Sequence, residues 1–311
     1  MLRDSFGRII KNIRISVTQR CNFRCFYCHR EGEENPSYCE MLPEEIERIV
    51  RVAASLGINE VKLTGGEPLL RDDIVEIVDR ISRIPGINDI SMTTNGFFLE
   101  DYADDLKRAG LMRVNVSLDT LDPEKFKMIT GVDGHESVIR GIIKAVNADL
   151  KPVKVNMVIL RGINEDEVSS MITFARDNNL ILQIIEFERP RIDAVYQRYH
   201  IDIADIEDKI KKRAVKTTVR SMHHRRKYTL DDHTEVEFVR PMHNTDFCLH
   251  CSRIRLTSDG KLKPCLFKND NLIDVLGPIR RGVDDNYLKD LFIEAVKRRR
   301  PYFYNNNLYL S

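Results

Sequence analysis

The sequence predicts an α/β chain: an incomplete (βα)6, TIM-like barrel followed by a smaller α+β extension. Three observations predict it. Apolar runs of strand length alternate with stretches of helical periodicity. Six such repeats follow one another, which argues for a parallel sheet with right-handed crossovers. The alternation then stops near Phe187, so the remainder belongs to a different kind of structure. Periodicity alone does not separate a curved, incomplete barrel from a flat doubly wound sheet, but the number and spacing of the repeats suit the barrel better. The expected division is 1–213 and 214–311.

In chain order, strands are expected at 13–18, 60–63, 89–93, 113–118, 153–159 and 181–187. Helices are expected between them at 43–56, 72–83, 100–109, 136–148 and 166–178. A strand buried on both faces should read as a nearly continuous apolar run. These strands instead carry Arg14 and Ser16, Lys62 and Thr64, Thr93 and Asn95, Asn115 with Ser117 and Asp119, Lys154 and Asn156, then Glu186. Most lie toward the carboxyl ends, where barrel enzymes keep their active sites. One such lysine would be a solvated charge. Polar residues in six consecutive strands predict a lined cavity, because buried charges need partners.

After Phe187, Arg189-Pro190-Arg191 breaks the pattern. A short helix is expected at 203–212 and strand-like runs at 214–219 and 235–239. Lys209 to Lys227 holds nine Lys or Arg residues and no acidic one. Such a run reads as a solvated surface or a nucleic-acid patch before a substrate site, and without interleaved aromatics the nucleic-acid reading is the weaker. The whole chain is balanced, 49 Lys+Arg against 48 Asp+Glu in 311 residues, so global charge favours neither nucleic acid nor a membrane surface. Met1 to Arg8 contains no apolar signal-like stretch, and no apolar run is long enough to span a bilayer. A cytoplasmic chain is expected. The 42% hydrophobic content suffices for one sizeable core or a core with an annex. The 31% charged content is above the ~25% of an average soluble chain and compatible with a thermophile.

Seven cysteines, an odd number falling in two groups with one left over, do not form a disulfide framework; in a reducing compartment they read as metal ligands. Cys21-Asn22-Phe23-Arg24-Cys25-Phe26-Tyr27-Cys28 has C-x3-C-x2-C spacing directly after the first strand. Zinc usually takes four protein ligands, so three thiols leave it one short. A cubane iron–sulfur cluster held by three thiolates keeps one iron open for a small molecule. Tyr27 adds a stacking surface beside it. Cys248, Cys251 and Cys265 form a second set, C-x2-C-x13-C. A zinc knuckle there would need a fourth ligand, and His250, the nearby candidate, sits between two of the cysteines where its reach is poor. The alternative is a second cluster with its own open iron. Arg253 and Arg255, two apart, would point the same way from an extended segment. Two guanidinium forks beside a metal site suit a phosphate-bearing ligand. Cys39, between Pro36 and Pro43, is expected to be an ordinary thiol with no metal role.

On the first cysteine loop the sequence resembles the radical S-adenosylmethionine (SAM) superfamily. With the second set in view it resembles, from about Gly7 to Asn271, the GTP 3′,8-cyclase family of molybdenum-cofactor biosynthesis. The resemblance rests on Arg14, Lys62-Leu63-Thr64-Gly65-Gly66-Glu67-Pro68, Thr93-Thr94-Asn95-Gly96, Asn115-Val116-Ser117-Leu118-Asp119, Lys154-Val155-Asn156 and the closing C-x2-C-x-R-x-R with Cys265. It implies a radical SAM fold whose C-terminal extension carries a second cluster. Cys21, Cys25 and Cys28 would hold the first [4Fe-4S] cluster, and Cys248, Cys251 and Cys265 the second. Tyr27, Gly66 and Ser117 would contact SAM, while Arg14, Lys62, Thr93, Lys154, Arg253 and Arg255 would bind GTP, mainly through its triphosphate. The implied lyase reaction reductively cleaves SAM to a 5′-deoxyadenosyl radical, removes hydrogen from C3′ of GTP and closes a ring onto C8. Its product would be (8S)-3′,8-cyclo-7,8-dihydroguanosine 5′-triphosphate. The implied partners are a flavodoxin- or ferredoxin-like reductant and the downstream cyclic pyranopterin monophosphate synthase, with a homodimer admitted and neither membrane nor nucleic acid involved.

The sequence departs from the family pattern in places. Lys62 stands where relatives often carry arginine, keeping the charge without the fork. Ile185-Glu186-Phe187-Glu188 stands where members place a methionine near SAM, so no SAM contact is assigned to Glu188. Many members end in Gly-Gly; this chain reads Tyr309-Leu310-Ser311, so the tail's role is expected to be met differently or the substrate step altered. Two other readings stay open: a dual-cluster radical enzyme acting on a peptide or tetrapyrrole, and a zinc-and-RNA module using residues 209–227.

Overall fold

Six parallel strands, in the order of the chain, form the middle of one twelve-stranded sheet. The computed structural model describes residues 1–33, 39–188 and 193–304. The central strands are β1 (Asn12–Ser16), β2 (Glu60–Thr64), β3 (Asp89–Thr94), β4 (Arg113–Ser117), β5 (Lys154–Ile159) and β6 (Ile181–Glu186). The later chain adds β7 (Ala214–Val219), β8 (Arg226–Leu230), β9 (Glu235–Val239), β10 (Arg253–Leu256), β11 (Lys261–Lys263) and β12 (Ile273–Asp274). The helices are α1 (Pro43–Ser55), α2 (Ile74–Ser82), α3 (Leu99–Arg108), α4 (Pro123–Thr130), α5 (His135–Asn147), α6 (Val168–Asp177), α7 (Ala194–Tyr199), α8 (Ala204–Arg213), α9 (Thr245–Leu249), α10 (Leu276–Arg280) and α11 (Asp285–Lys297).

The sheet order is β12-β11-β10-β1-β2-β3-β4-β5-β6-β9-β8-β7. A doubly wound sheet reverses its order at a switch point, whereas the central strands here run from first to sixth without reversal. Strand order therefore separates the two architectures that periodicity leaves open, in favour of the barrel type. The later strands cover both edges of the central sheet: β10 pairs parallel with β1, and β9 parallel with β6. Exposed edges are a liability that covering removes. Among the described residues no helix is long and apolar enough to cross a membrane.

Local sequence explains each layer. In α1, Pro43 starts the helix and Glu45 accepts from the Leu42 N–H at 2.8 Å, while Ile46, Ile49, Val50 and Ala53 turn one face into the core. Five helices lie outside those expected from periodicity: α4, α7, α9, α10 and α11. The first four have five to eight residues, too few to show a helical period; in α4 Asp122 caps the first N–H groups and Gly131, at φ 72°, ends it. The longer α11 is capped by Asp284 and buries Leu288, Phe292, Ala295 and Val296. The pattern break at 189–191 and the tail at 309–311 lie outside the described residues.

Period two decides what the central sheet offers inward. Ile13, Ile15, Val61 and Leu63 are fully buried in the core, while Asn12, Arg14, Lys62 and Thr64 on the alternate positions line a cavity. The same alternation brings Ser91 and Thr93, Arg113, Asn115 and Ser117, then Lys154 and Asn156 to the same space. In register, Arg14 lies beside Lys62 on one side and Arg255 on the other.

Candidate active site

Every residue singled out from sequence as a metal, SAM or GTP contact lines one cavity of about 440 Å3. This includes both cysteine sets, Tyr27, Gly66, Ser117, and the cations Arg14, Lys62, Lys154, Arg253 and Arg255, with Thr93 among them. The extended β10 sends Arg253 and Arg255 inward and buries Ile254 and Leu256. None of the seven cysteines is in a disulfide. Cys39 stands outside the cavity, its Sγ accepting from Arg280 Nη1 at 3.3 Å.

The first thiol set sits on the loop leaving β1. Gly65 and Gly66, leaving β2, press against that loop: a Cβ on Gly66 would lie 2.1 Å from the Arg20 carbonyl oxygen. The absence of a side chain at Gly66 is thus required by the protein's own chain. Next to it Glu67 is fully buried and accepts from Leu69 N–H, the Thr94 hydroxyl and Asn95 N–H at 3.0, 2.7 and 2.6 Å. Asn95 Nδ2 then donates to Asn22 Oδ1 at 2.7 Å, so the Gly-Gly-Glu-Pro and Thr-Asn-Gly elements brace the cysteine loop from below. Tyr27 donates to Asp119 Oδ2 at 2.5 Å, and Asp119 Oδ1 accepts from Val158 N–H at 2.8 Å. Burial pushes the Cys21 thiol up to about 11 and Cys25 higher still, with the neighbouring thiols adding to both. Gly66→Ala is expected to push the two loops apart, losing about 1–3 kcal/mol of stability and iron from this set. Urea denaturation and iron analysis would check it; a change below about 0.5 kcal/mol with full iron would count against the packing argument.

The second set is gripped by charge. Cys248 lies on α9, started by Asn244 accepting from Phe247 N–H at 3.0 Å. Arg8 Nη1 donates to the Cys248 carbonyl at 2.8 Å and Arg299 Nη2 to the Cys251 carbonyl at 2.7 Å. Both arginines converge on Asp4 Oδ2, at 2.8 and 2.6 Å. Burial opposes the Cys251 thiolate, but Arg299, the Arg253 N–H and Arg8 outweigh it, so this thiol is held below its ordinary range. Asp4, Arg8 and Arg299 escape a reading by motif because they meet across nearly the whole chain.

The cations are over-supplied and share few carboxylates. Glu31, in the turn after Cys28, accepts from Arg14 Nη2 and Arg255 Nη1 at 2.5 Å each and from the Thr64 hydroxyl at 2.9 Å. Burial would raise its carboxyl, yet Arg14 and Arg255 hold it well below the usual carboxylate range. Glu31 has φ 54°, a rare conformation for a non-glycine residue. The turn is fixed because Gly32 abuts the Leu266 carbonyl next to Cys265, while Lys263 Nζ donates to the Gly32 carbonyl at 3.0 Å. One turn thus joins the two cysteine loops. Lys62 Nζ donates to Asn115 Oδ1 at 2.9 Å. On the far side Lys154 pairs with Glu237, which Arg225 and Arg220 also approach at 3.1 and 3.5 Å. Residues 209–227 are mostly solvated, as expected, but the bend departs from that reading: Arg220, His223 and Arg225 line the cavity. Glu188, to which no SAM contact was assigned, lines it too, 3.6 Å from His29 Nε2.

A family model described as Radical SAM superfamily matches residues 15–175, and one described as Molybdenum Cofactor Synthesis C matches residues 180–305. Proteins named probable GTP 3′,8-cyclase from Thermococcus kodakarensis and Pyrococcus abyssi are 51% and 53% identical over 97% of this chain and 100% of theirs. One from Methanothermobacter thermautotrophicus is 50% identical over 97% of this chain and 99% of its own. The chain belongs to the GTP 3′,8-cyclase family. In fold it is similar to Streptococcus suis SuiB bound to precursor peptide SuiA (TM-score 0.64, 17% identity, 84% of this chain and 60% of that one). It is likewise similar to native anSMEcpe with bound AdoMet (TM-score 0.62, 18% identity, 84% and 76%).

Members of the GTP 3′,8-cyclase family carry [4Fe-4S] clusters and bind SAM, and the two thiol sets fit such groups better than single ions. A zinc knuckle at the second set would need a fourth ligand, and His250, the nearby candidate, stands outside the cavity with its Nδ1 3.1 Å from Asp246 Oδ1. Arg8 Nη2 and Arg299 Nε, buried and without a hydrogen-bond partner among the described residues, supply donors and positive charge to an anionic cluster beside Cys251.

Proposed function

We propose that this chain is a radical SAM lyase that converts GTP to (8S)-3′,8-cyclo-7,8-dihydroguanosine 5′-triphosphate, the first step of molybdenum-cofactor biosynthesis. The observation that carries this reading is the meeting of two three-thiol sets and a surplus of cations in one cavity. Cys21, Cys25 and Cys28 would hold one cluster, with Tyr27, Gly66 and Ser117 beside its SAM; Cys248, Cys251 and Cys265 would hold the other, beside the guanine base. With SAM bound beside it, the first cluster would supply one-electron radical chemistry, which no side chain offers. The chain's own residues bind and orient. Arg14, Lys62, Lys154, Arg253 and Arg255, with Thr93, receive the triphosphate, and we add Arg220 and Arg225 to that shell. Burial and then Arg14 and Arg255 weaken the hold of Arg253 on its proton, a mark of crowded guanidiniums that a polyanion would relieve. Asp119 fixes the Tyr27 ring through its hydroxyl. Strands and cysteine loops together shield the reacting atoms from water.

In this reading residues 1–213 form the radical SAM partial barrel, which also lends Arg14, Lys62, Thr93 and Lys154 to the substrate, and 214–311 form the extension that carries the second cluster and completes the GTP site. A flavodoxin- or ferredoxin-like protein supplies electrons, cyclic pyranopterin monophosphate synthase consumes the product, and the chain works in the cytoplasm, with a homodimer compatible. The test is anaerobic reconstitution followed by incubation with SAM and dithionite, with and without GTP. Deoxyadenosine is expected to form faster with GTP, together with the cyclised nucleotide. Formation no faster with GTP would remove GTP as substrate.

A further inference from the structure

His224, Asp246 and His250 stand outside the cavity lining, on the outer side of the segment that carries the second thiol set. His224 ends the turn Met222–His224 between β7 and β8, Asp246 lies in the first turn of α9, and His250 follows that helix. All three side chains are partly open to solvent, at 37%, 61% and 36%. Among the described residues they are the set of three metal-capable side chains whose ligand atoms all lie within 4.8 Å of one another.

The distances match a shared ion. His224 Nδ1 is 3.2 Å from Asp246 Oδ1, and His250 Nδ1 is 3.1 Å from the same oxygen. Ligands about 2.0–2.1 Å from a tetrahedral zinc stand about 3.3 Å from each other. The Asp246 carbonyl oxygen, 2.9 Å from His250 Nδ1, is a further oxygen donor at the same spot. Hydrogen bonds to one carboxylate would account for the placement of each histidine singly. What they leave unexplained is two imidazole nitrogens converging on one carboxylate oxygen, the arrangement a shared cation would hold. A cation on both Nδ1 atoms would replace whichever Nδ1 proton now bridges to oxygen, and its in-plane bonds would turn the two stacked rings apart.

We propose that His224, Asp246 and His250 bind one divalent transition cation of the zinc class. Two imidazoles and a carboxylate suit zinc, not calcium or magnesium, which take oxygen donors. The ion would clamp the turn preceding Arg225 to the helix bearing Cys248. That turn already docks there through the His223 N–H, which donates to the His250 carbonyl at 2.8 Å, and through His223 stacked on Phe247 at 3.9 Å. The proposal is independent of the proposed activity, since metal counts alone decide it.

The test uses protein with both thiol sets already loaded with iron, mixed anaerobically with zinc sulfate and passed through gel filtration. Zinc and iron are then counted, and zinc affinity is measured by calorimetry. One zinc per chain is expected with no loss of iron. His224→Ala and His250→Ala should each bind zinc at least about tenfold more weakly, while Cys39→Ser should bind it as before. Should an alanine variant fail to hold iron, Asp246→Asn is measured in its place, with the same weakening expected. No zinc uptake, uptake that survives the substitutions, or zinc gained only as iron is lost would each overturn the site.

Discussion

Asp4→Asn is expected to destabilise the protein by about 3–5 kcal/mol and to strip iron from the C-terminal thiol set while sparing the N-terminal one. The side chain of Asp4 is fully buried, and its Oδ2 is the one carboxylate oxygen joining Arg8 to Arg299, themselves almost without exposure. Asparagine keeps the shape and the hydrogen bonds that Oδ1 accepts from the Phe6 and Arg8 N–H groups at 3.0 and 3.1 Å. It removes the charge that lets two guanidiniums share a dry site. Those guanidiniums hold the carbonyls of Cys248 and Cys251, so their mutual repulsion is transmitted directly to the cysteine loop. Losing one partner of a buried ion pair is severe because the survivor stays buried and uncompensated; here two survivors face each other. Anaerobic urea denaturation with iron analysis would measure both effects. A shift below about 1 kcal/mol, or equal iron loss from both sets, would mean that the network neither stabilises the fold nor grips that loop.

What could be read from sequence was whatever repeats at short range. Arg14, Lys62, Thr93, Asn115 and Lys154 reveal themselves because each interrupts an apolar strand at an inward position, and the period of two is a local property. Both cysteine sets are equally local, as is the pairing of Arg253 with Arg255. The anionic partners are not. Glu31 lies in a three-residue turn with no periodicity, and its partners are 17 and 224 residues away. Glu237 sits in an expected strand, but as one glutamate in Glu235-Val236-Glu237 it reads as a solvent-facing alternation. Only the pairing of β9 with β6 turns it inward, beside Gln183. Arg220 and Arg225 belong to a stretch that is mostly solvated, as its composition implies; the turn at Met222–His224 returns these two to the cavity. Composition describes the average of such a segment and not the residues at its bend.

Affinity for GTP is expected to be level below about pH 8 and to weaken above it, by up to about tenfold per pH unit for each lysine that titrates. Burial, and then the neighbouring Arg220 and Arg225, bring Lys154 down to about 8 against the pull of Glu237. Lys62 falls well below its ordinary range for the same first reason, with Arg113, Arg14 and Arg253 adding to it. Glu237 is held down to about 2, where burial works against Arg225, Lys154 and Arg220. The two values are consistent, because three cations compensate one carboxylate fully while one carboxylate compensates three cations poorly. A triphosphate supplies the missing negative charge and raises both lysine pKa values in the complex. A group whose pKa is higher when ligand is bound takes up a proton on binding, so binding is favoured below the free pKa and penalised above it. Calorimetric titration of reconstituted protein with GTP between pH 7 and 9, above the ~6 second pKa of a phosphate, would report this in two buffers of different ionisation enthalpy. Proton uptake should rise toward pH 9, and Lys154→Gln should bind more weakly at pH 7 while losing part of the slope. An affinity independent of pH, or one that strengthens as pH rises, would mean that Lys154 and Lys62 answer to their protein neighbours and not to the phosphates.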